Sequence, residues 1–142
     1  MRLRKNAKVD LIRGVPLFSH CSNAQLGALA AEADELDFPA GRTLTQEGDR
    51  GREFMVIVEG SATVTRNGRK VNQLGGGDFL GEIALISGAP RTSTVTTTAP
   101  TRVLVLTDRA FKRVTRDMPD INASLVKALS ERLQADAGKR EL

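Results

Sequence analysis

The sequence lacks tryptophan and tyrosine, and it has little cysteine or histidine. Its 142 residues include five Phe, one Cys and one His. A platform that stacks single-stranded nucleic acid needs exposed aromatic rings, and five scattered Phe do not supply one. Cys21 and His20 lie side by side, and two residues cannot provide the three or four ligands of a zinc site. The composition therefore argues against an aromatic nucleic-acid platform and against a zinc centre.

Long apolar segments are missing as well. The chain has no run of about 18 apolar residues of the kind that spans a membrane, and its N-terminus has no apolar core of a signal peptide. The single Cys excludes an intrachain disulfide and agrees with a reducing compartment. We therefore predict a cytoplasmic protein without a transmembrane segment.

The length favours a single domain over residues 1–142, and the charge is unevenly distributed along it. The net charge of +4 resides in residues 1–13, where five basic side chains accompany only Asp10, and the rest of the chain is neutral. Two interpretations of this basic segment stay open. It is either a solvated first helix or a contact for an acidic partner, a membrane surface or nucleic acid.

Apolar residues repeat at helical spacing near the N-terminus and at strand spacing after it. We predict helices over 3–13 and 23–33, the second capped by Ser22, so that 1–33 forms the N-terminal helices. Asn67-Gly68 predicts a tight hairpin. Short runs rich in β-branched residues predict strands at Glu35–Phe38, Arg42–Thr45, Phe54–Glu59, Ala62–Arg66, Lys70–Leu74, Ser93–Thr98 and Arg102–Leu106. Seven or eight short strands in about 70 residues predict a mainly β fold with flanking helices, which we assign as an eight-stranded jelly-roll β-barrel (double-stranded β-helix) over 35–107.

Two helices are predicted after the strands. Asp108 is the expected N-cap of a helix over 109–116, and Met118-Pro119 should break it. The last helix is expected over 120–136, ending at Ala137-Gly138. Residues 108–137 would thus form a hinge and two terminal helices.

The segment 81–92 carries the clearest chemical signal. Gly81 opens a predicted helical turn over Ile83–Ile86, Glu82 is a hydrogen-bond acceptor, and Arg91 is a planar donor suited to a phosphate. Together they suit a small phosphorylated sugar. The alternatives are that Glu82 only starts the helix and that Arg91 forms a structural ion pair, with Glu82 as one possible partner. The glycines at 75–77 lack the Lys-Ser/Thr of a P-loop, and we predict a turn there.

The run FLGEIALISGAPRTSTV resembles the phosphate-binding cassette of cyclic nucleotide-binding domains, which we place at 79–93. The pattern of that family is matched at Gly81, Glu82, Ala84, Leu85, Pro90, Arg91 and Thr92. Leu80 is inserted between Phe79 and Gly81, a variation that other members also have. The preceding helix, the glycine-punctuated strands and the two trailing helices follow the order of the family, so the resemblance covers nearly the whole chain.

The resemblance implies a role for each site residue. Arg91 would bind the exocyclic oxygens of a cyclic phosphate, and Glu82 with the Gly81 backbone would hold the ribose 2′-hydroxyl. The residues expected to contact the ligand are Gly81, Glu82, Ile83, Ala84, Ala89, Pro90, Arg91, Thr92, Val64, Val71 and Leu74. Arg132, Gln134 and Asp136 are expected to lie on a helix that covers the site. The ligand favoured is cAMP, although a Thr after the cassette Arg also occurs in cGMP-binding kinases.

We therefore predict a bacterial regulatory sensor that binds cAMP and signals through its C-terminal helices to a protein partner or within a homodimer. It would not be an enzyme and would hold no metal or cofactor. The family's activator-type members continue into a helix-turn-helix domain, for which the chain offers no room before Leu142. Alternatives are the N-terminal sensor portion of a cAMP-responsive DNA-binding transcription regulator, or a cGMP sensor.

Two further classes receive less support. A cupin-like metal enzyme would need two or three His inside the barrel, and His20 precedes the strands. A structural module that has lost its ligand is disfavoured because Glu82 and Arg91 are both present.

Overall fold

The computed structural model describes residues 2–141, except for the side chains of Ile83, Arg132 and residues 135–141. The α-helices in this range are α1 (Lys5–Arg13), α2 (Asn23–Glu32), α3 (Glu82–Ser87), α4 (Asp108–Asp117) and α5 (Ile121–Glu141), with a 3-10 helix at Pro16–Phe18. The strands are β1 (Asp34–Phe38), β2 (Thr43–Thr45), β3 (Glu53–Glu59), β4 (Ser61–Arg66), β5 (Arg69–Gly75), β6 (Phe79–Leu80), β7 (Thr94–Thr97) and β8 (Thr101–Thr107). No helix in the described part of the chain is both long and apolar enough to cross a membrane.

The strands form two four-stranded antiparallel sheets. One has the order β1-β8-β3-β6 and the other the order β2-β7-β4-β5. The prediction of a mainly β fold with flanking helices is confirmed, whereas the closed jelly-roll barrel stays a prediction. Strand β6 was missed because two residues are too few to show a period; Phe79 and Leu80 become a strand by pairing with Val56 and Met55.

The hairpin at Asn67-Gly68 connects β4 to β5 as the sequence indicated. Asn67 has φ 53° and Gly68 has φ 77°, and Arg66 pairs with Arg69 across the turn. Two consecutive left-handed residues match the twist of the flanking strands, which explains why Asn-Gly is favoured here.

The start of α2, the end of α1 at Arg13 and the break after α4 at Met118 agree with the predictions, whereas other helix ends differ. Ser22 and Gln25 form a reciprocal capping box at the start of α2. The predicted N-cap Asp108 is wrong, because the Thr107 hydroxyl accepts a hydrogen bond from the Ala110 N–H and Asp108 is the first helical residue. Helix α5 continues past the predicted end at Ala137-Gly138 to Glu141. A glycine lowers helix stability by only about 1 kcal/mol and need not end a helix.

Strand β3 is buried on both faces and separates two apolar cores. Phe54 and Val56 face the helices, whereas Met55 and Ile57 face the second sheet. Side chains alternate across a strand, so a continuous apolar run such as this one serves both cores. In the helix-side core, Phe18 packs edge-on against Phe54, with 5.6 Å between the ring centroids. This central strand fixes the position of the loop before it, which holds part of the site.

Candidate functional site

A cavity of about 540 Å³ lies over the sheet that contains β4, β5 and β7. Its apolar lining residues are Val64, Leu74, Phe79, Leu80, Gly81, Ala84, Ala89, Pro90 and Val95, and its polar and charged ones are Thr45, Arg66, Asn72, Glu82, Ser87, Arg91, Thr92 and Ser93. The volume is in the range typical of small-molecule sites. The mixture of a large apolar wall, hydroxyls and both signs of charge suits a ligand with an apolar part, hydroxyls and an anion.

Nine of the eleven predicted contact residues line this cavity, and two need separate comment. The Ile83 side chain lies outside the described part of the structure. Val71 is 51% exposed and does not line the cavity. The register between β4 and β5 shifts at this point, since Val64 pairs with Asn72 but Thr65 pairs with Lys70. This bulge leaves Val71 without a paired residue, and Asn72 lines the cavity where Val71 was expected.

Helix α3 brings Glu82 into the cavity wall. Gly81 is its N-cap in a left-handed conformation (φ 83°), and Glu82, the first helical residue, is only 5% exposed. A Cβ on Gly81 would lie 2.6 Å from the Glu53 carbonyl oxygen and 2.1 Å from Nη1 of Arg91. The position therefore requires glycine for its backbone conformation and for its space. The predicted helical turn is confirmed.

The Arg91 side chain is enclosed rather than free in the cavity. It is 8% exposed, and its Nη2 donates a hydrogen bond to the Glu53 carbonyl oxygen. The Glu53 carboxylate lies 3.8 Å from the same nitrogen. Burial lowers the pKa of the Arg91 guanidinium, and the Glu53 carboxylate partly opposes this shift. An arginine remains charged under such conditions, so a cation sits at the cavity wall.

Two glycines form the passage for this side chain. A Cβ on Gly51 would lie 2.2 Å from Nε of Arg91 and 2.5 Å from its Cζ, and Gly81 bounds the other end of the guanidinium. Both residues must be small for the arginine to reach Glu53. Gly51 and Glu53 were not predicted from the sequence, because neither is near Arg91 in the chain.

The backbone around Arg91 is tied to the loop that precedes β3. The Arg91 N–H donates to the Asp49 carbonyl at 2.7 Å, and the Gly48 N–H donates to the Arg91 carbonyl at 2.9 Å. Pro90 also forms an isolated bridge with Arg50. Hydrogen bonds therefore hold both the main chain of the segment after α3 and the side chain of Arg91.

A second guanidinium, that of Arg66 on β4, lines the cavity and was not predicted from the sequence. Arg66 Nε donates to the Thr92 carbonyl at 3.3 Å, and its Nη2 donates to the Ser93 hydroxyl at 3.2 Å. It thereby anchors the end of the cassette to the neighbouring strand. Arg66 precedes the Asn67-Gly68 turn, and only the strand pairing brings it to the cavity.

The predicted covering helix lies elsewhere. The cavity lining includes no α5 residue that the structure describes, and Gln134 is exposed. The side chains of Arg132 and Asp136 lie outside the described residues. Helix α5 packs on the N-terminal helices, because Ile121 and Leu125 enter the helix-side core and Gln25 Nε2 donates to Asp120 Oδ2 at 3.1 Å. The structure does not bring Gln134 over the cavity.

The fold and the cavity define a mainly β domain with a cavity of a size that suits a small ligand. Within the described residues, no three His, Cys, Asp or Glu side chains converge to hold a metal ion. The chemical groups at hand are two guanidiniums, one buried carboxylate and several hydroxyls, all of which bind by charge and hydrogen bonds.

Known proteins agree with this class. A model of the cyclic nucleotide-binding domain matches residues 35–117. A cAMP-dependent protein kinase regulatory subunit of Mycosarcoma maydis is 37% identical over 109 residues, which cover 70% of this chain and 21% of that protein. A cyclic nucleotide-gated potassium channel of Rhizobium etli is 34% identical over 123 residues, which cover 87% of this chain and 34% of the channel. The chain belongs to the cyclic nucleotide-binding domain family, which consists of regulatory ligand-binding domains.

A solved structure has the same fold. The N-terminal domain of a transcriptional regulator from Streptomyces coelicolor A3(2) superimposes with a TM-score of 0.81 at 27% identity, covering 92% of this chain and 94% of that one. The curated relatives are longer, since the chain spans only 21% and 34% of the two named above. What is shared with them is therefore the cyclic nucleotide-binding domain.

Proposed function

We propose that the domain binds a cyclic nucleotide, with cAMP preferred over cGMP, and acts as a regulatory sensor for a partner. The observation that carries the proposal is the convergence of Arg91 and Glu82 on one cavity inside a family of cyclic nucleotide-binding domains. The preference for cAMP is supported by the relative from Mycosarcoma maydis, which is the regulatory subunit of a cAMP-dependent protein kinase.

Arg91 is the proposed ligand of the cyclic phosphate, which carries one negative charge. A guanidinium has five N–H donors, and the bond to the Glu53 carbonyl engages Nη2. Thr92 and the backbone near Ala89 line the same part of the cavity and assist. The Glu53 carboxylate, 3.8 Å from Arg91 Nη2, partly balances the buried cation, and a cyclic phosphate would supply a further negative charge beside it.

Glu82 and the Gly81 backbone are the proposed partners of the ribose 2′-hydroxyl. The carboxylate accepts from the hydroxyl, and its position at the start of α3 is favourable for a negative charge. Val64 and Leu74 supply the apolar wall for the nucleoside. Gln134, which was expected on a helix that covers the site, would reach a bound nucleotide only if α5 left its place on the N-terminal helices.

The signal would leave the site through the helix-side core. Leu85 of α3, Phe111 of α4 and Ile121 of α5 share this core. A shift of α3 on ligand binding would therefore alter the support of α4 and α5. Such a switch needs the ligand to favour one helix arrangement by free energy.

Calorimetric titration of cAMP tests the proposal. The Arg91→Ala variant should bind about 10- to 150-fold more weakly, since hydrogen bonds to charged groups contribute about 1.5–3 kcal/mol. Arg42→Ala, an exposed arginine outside the cavity, is the matched control and should bind like the wild type. Undetectable binding to the wild type at submillimolar cAMP, or equal binding by Arg91→Ala, would overturn the proposal. Tighter binding of cGMP than of cAMP would favour the cGMP sensor.

A second candidate is that the chain is the sensor portion of a DNA-binding transcription regulator. It is favoured by the likeness to the Streptomyces coelicolor regulator domain. The length of the encoded reading frame tests it, because a helix-turn-helix segment downstream would support this assignment.

A further inference from the structure

One face of α4 carries a regular stripe of basic residues. Arg109, Lys112, Arg113 and Arg116 follow the spacing i, i+3, i+4 and i+7, which places them on one side of a helix. The opposite side is apolar and buried through Ala110, Phe111 and Val114. We call the four basic residues, together with Arg52, the basic face of α4. Arg52 is joined to the start of the helix, because its carbonyl accepts a hydrogen bond from the Asp108 N–H at 2.7 Å.

The basic face is concave and open to solvent. Its five cations and Asp108 surround a depression of about 550 Å³. The side chains of Lys112 and Arg116 are 75% and 71% exposed. The four helical cations span about 10 Å along the axis, from the rise of 1.5 Å per residue. This is the length of two turns of a partner helix.

Carboxylates already accompany some of these cations. Glu32 lies 2.8 Å from Arg113, Asp117 lies 3.2 Å from Arg116, and Asp108 lies 4.0 Å from Lys112. The surface therefore has five positive and three negative charges. The affinity of a protein for a nucleic-acid backbone depends on the number of uncompensated cations, and this surface has a net excess of only two. This small positive excess complements a short acidic segment of a protein, because potentials of opposite sign meet at protein interfaces.

A membrane surface fits this face less well. The large apolar side chains that are exposed among the described residues are Leu36, Val71, Ile86, Val126 and Leu133. None of them belongs to the basic face, so it offers no apolar group to enter a bilayer interface.

The basic face is connected to the nucleotide site. Arg52 precedes Glu53, whose carbonyl holds Arg91, and Phe111 of α4 shares a core with Leu85 of α3. We propose that the basic face of α4 docks a carboxylate-rich helical segment of a partner protein. Its use as the output of the sensor rests on the proposed function, whereas the docking itself does not.

The test uses a labelled peptide as the probe. A fluorescein-labelled, alanine-rich helical peptide with Glu at i, i+3, i+4 and i+7 is titrated with the full chain by fluorescence anisotropy. The same peptide with Gln in place of Glu controls for charge. The Arg109→Gln/Arg116→Gln variant should bind the Glu peptide about three- to thirty-fold more weakly, as expected for the loss of two exposed ion pairs. Arg69→Gln/Lys70→Gln, which changes two exposed cations on β5, should bind it like the wild type.

Several outcomes would overturn the proposal. One is that the Gln peptide binds as tightly as the Glu peptide, and another is that the two double variants lose the same affinity for the Glu peptide. A third is that a 20-base-pair DNA duplex or phosphatidylserine vesicles bind more tightly than the Glu peptide and depend on Arg109 and Arg116. Titration of cAMP in parallel separates this proposal from the proposed function. Wild-type cAMP affinity in the Arg109→Gln/Arg116→Gln variant indicates that only the docking was changed. Absence of cAMP binding to the wild type leaves the peptide result to stand by itself.

Discussion

Replacing Gly51 with alanine should weaken cyclic nucleotide binding while leaving the domain folded. The added Cβ would lie 2.2 Å from Nε, 2.5 Å from Cζ and 2.8 Å from Cδ of Arg91. These three nearest atoms all belong to one flexible side chain. The backbone of Gly51 is outside the left-handed region, so alanine adds no backbone strain. Relief therefore comes from moving the Arg91 side chain out of its passage.

The magnitude follows from what the displaced arginine would lose. A guanidinium that no longer reaches the phosphate forfeits about 1.5–3 kcal/mol per hydrogen bond. The dissociation constant for cAMP should rise roughly 10- to 150-fold. The bond from Arg91 to the Glu53 carbonyl would be lost as well, which should cost about 1–2 kcal/mol of the free energy of unfolding.

Calorimetric titration and urea unfolding measure the two effects. Gly75→Ala is the matched control, since its added Cβ has no atom within 4 Å and its backbone is outside the left-handed region. In an Arg91→Ala background, Gly51→Ala should have no further effect on cAMP affinity. Unchanged affinity of the single Gly51→Ala variant, or an additive loss in the double variant, would refute this reasoning.

Three further predictions follow from the packing and the ion pairs. Phe18→Ala removes a fully buried ring that contacts two other phenylalanines and should lower the free energy of unfolding by about 3–5 kcal/mol in urea titrations; a loss under 1 kcal/mol would contradict the packing. Burial raises the pKa of the Cys21 thiol to about 11, so its alkylation by iodoacetamide at pH 8 should be about 100-fold slower than in urea, and equal rates would contradict its burial. The hydrogen bond from Arg113 lowers the pKa of Glu32. The pair therefore stabilises the fold above the ordinary carboxyl pKa, and this contribution is lost as the pH falls through the lowered pKa. An NMR titration of Arg113→Gln should show a higher Glu32 pKa than in the wild type, and no change would refute the pairing.

The sequence by itself determined the features that depend on near neighbours in the chain. The left-handed turn at Asn67-Gly68, the capping box at Ser22 and the short helix after Gly81 each follow from residues within a few positions. The motif with Glu82 and Arg91 indicated the family in the same way. Local conformational preferences are strong at such sites, because few residues other than glycine and Asn adopt the left-handed conformation of the turn and few side chains other than Ser, Thr, Asp and Asn cap a helix.

Only the tertiary structure decided what surrounds these residues. Glu53 lies 38 positions from Arg91 yet accepts its hydrogen bond, and Gly51 leaves the space through which the side chain passes. The bulge that turns Val71 outward depends on how β4 and β5 register.

The same holds for the last helix. Its helical conformation follows from the sequence, but the surface that it packs against is formed by the N-terminal helices, through Gln25 and the core around Leu125. A period in the sequence specifies which face of an element is buried. It does not specify the distant segment that covers that face, because this choice depends on the packing of the whole chain.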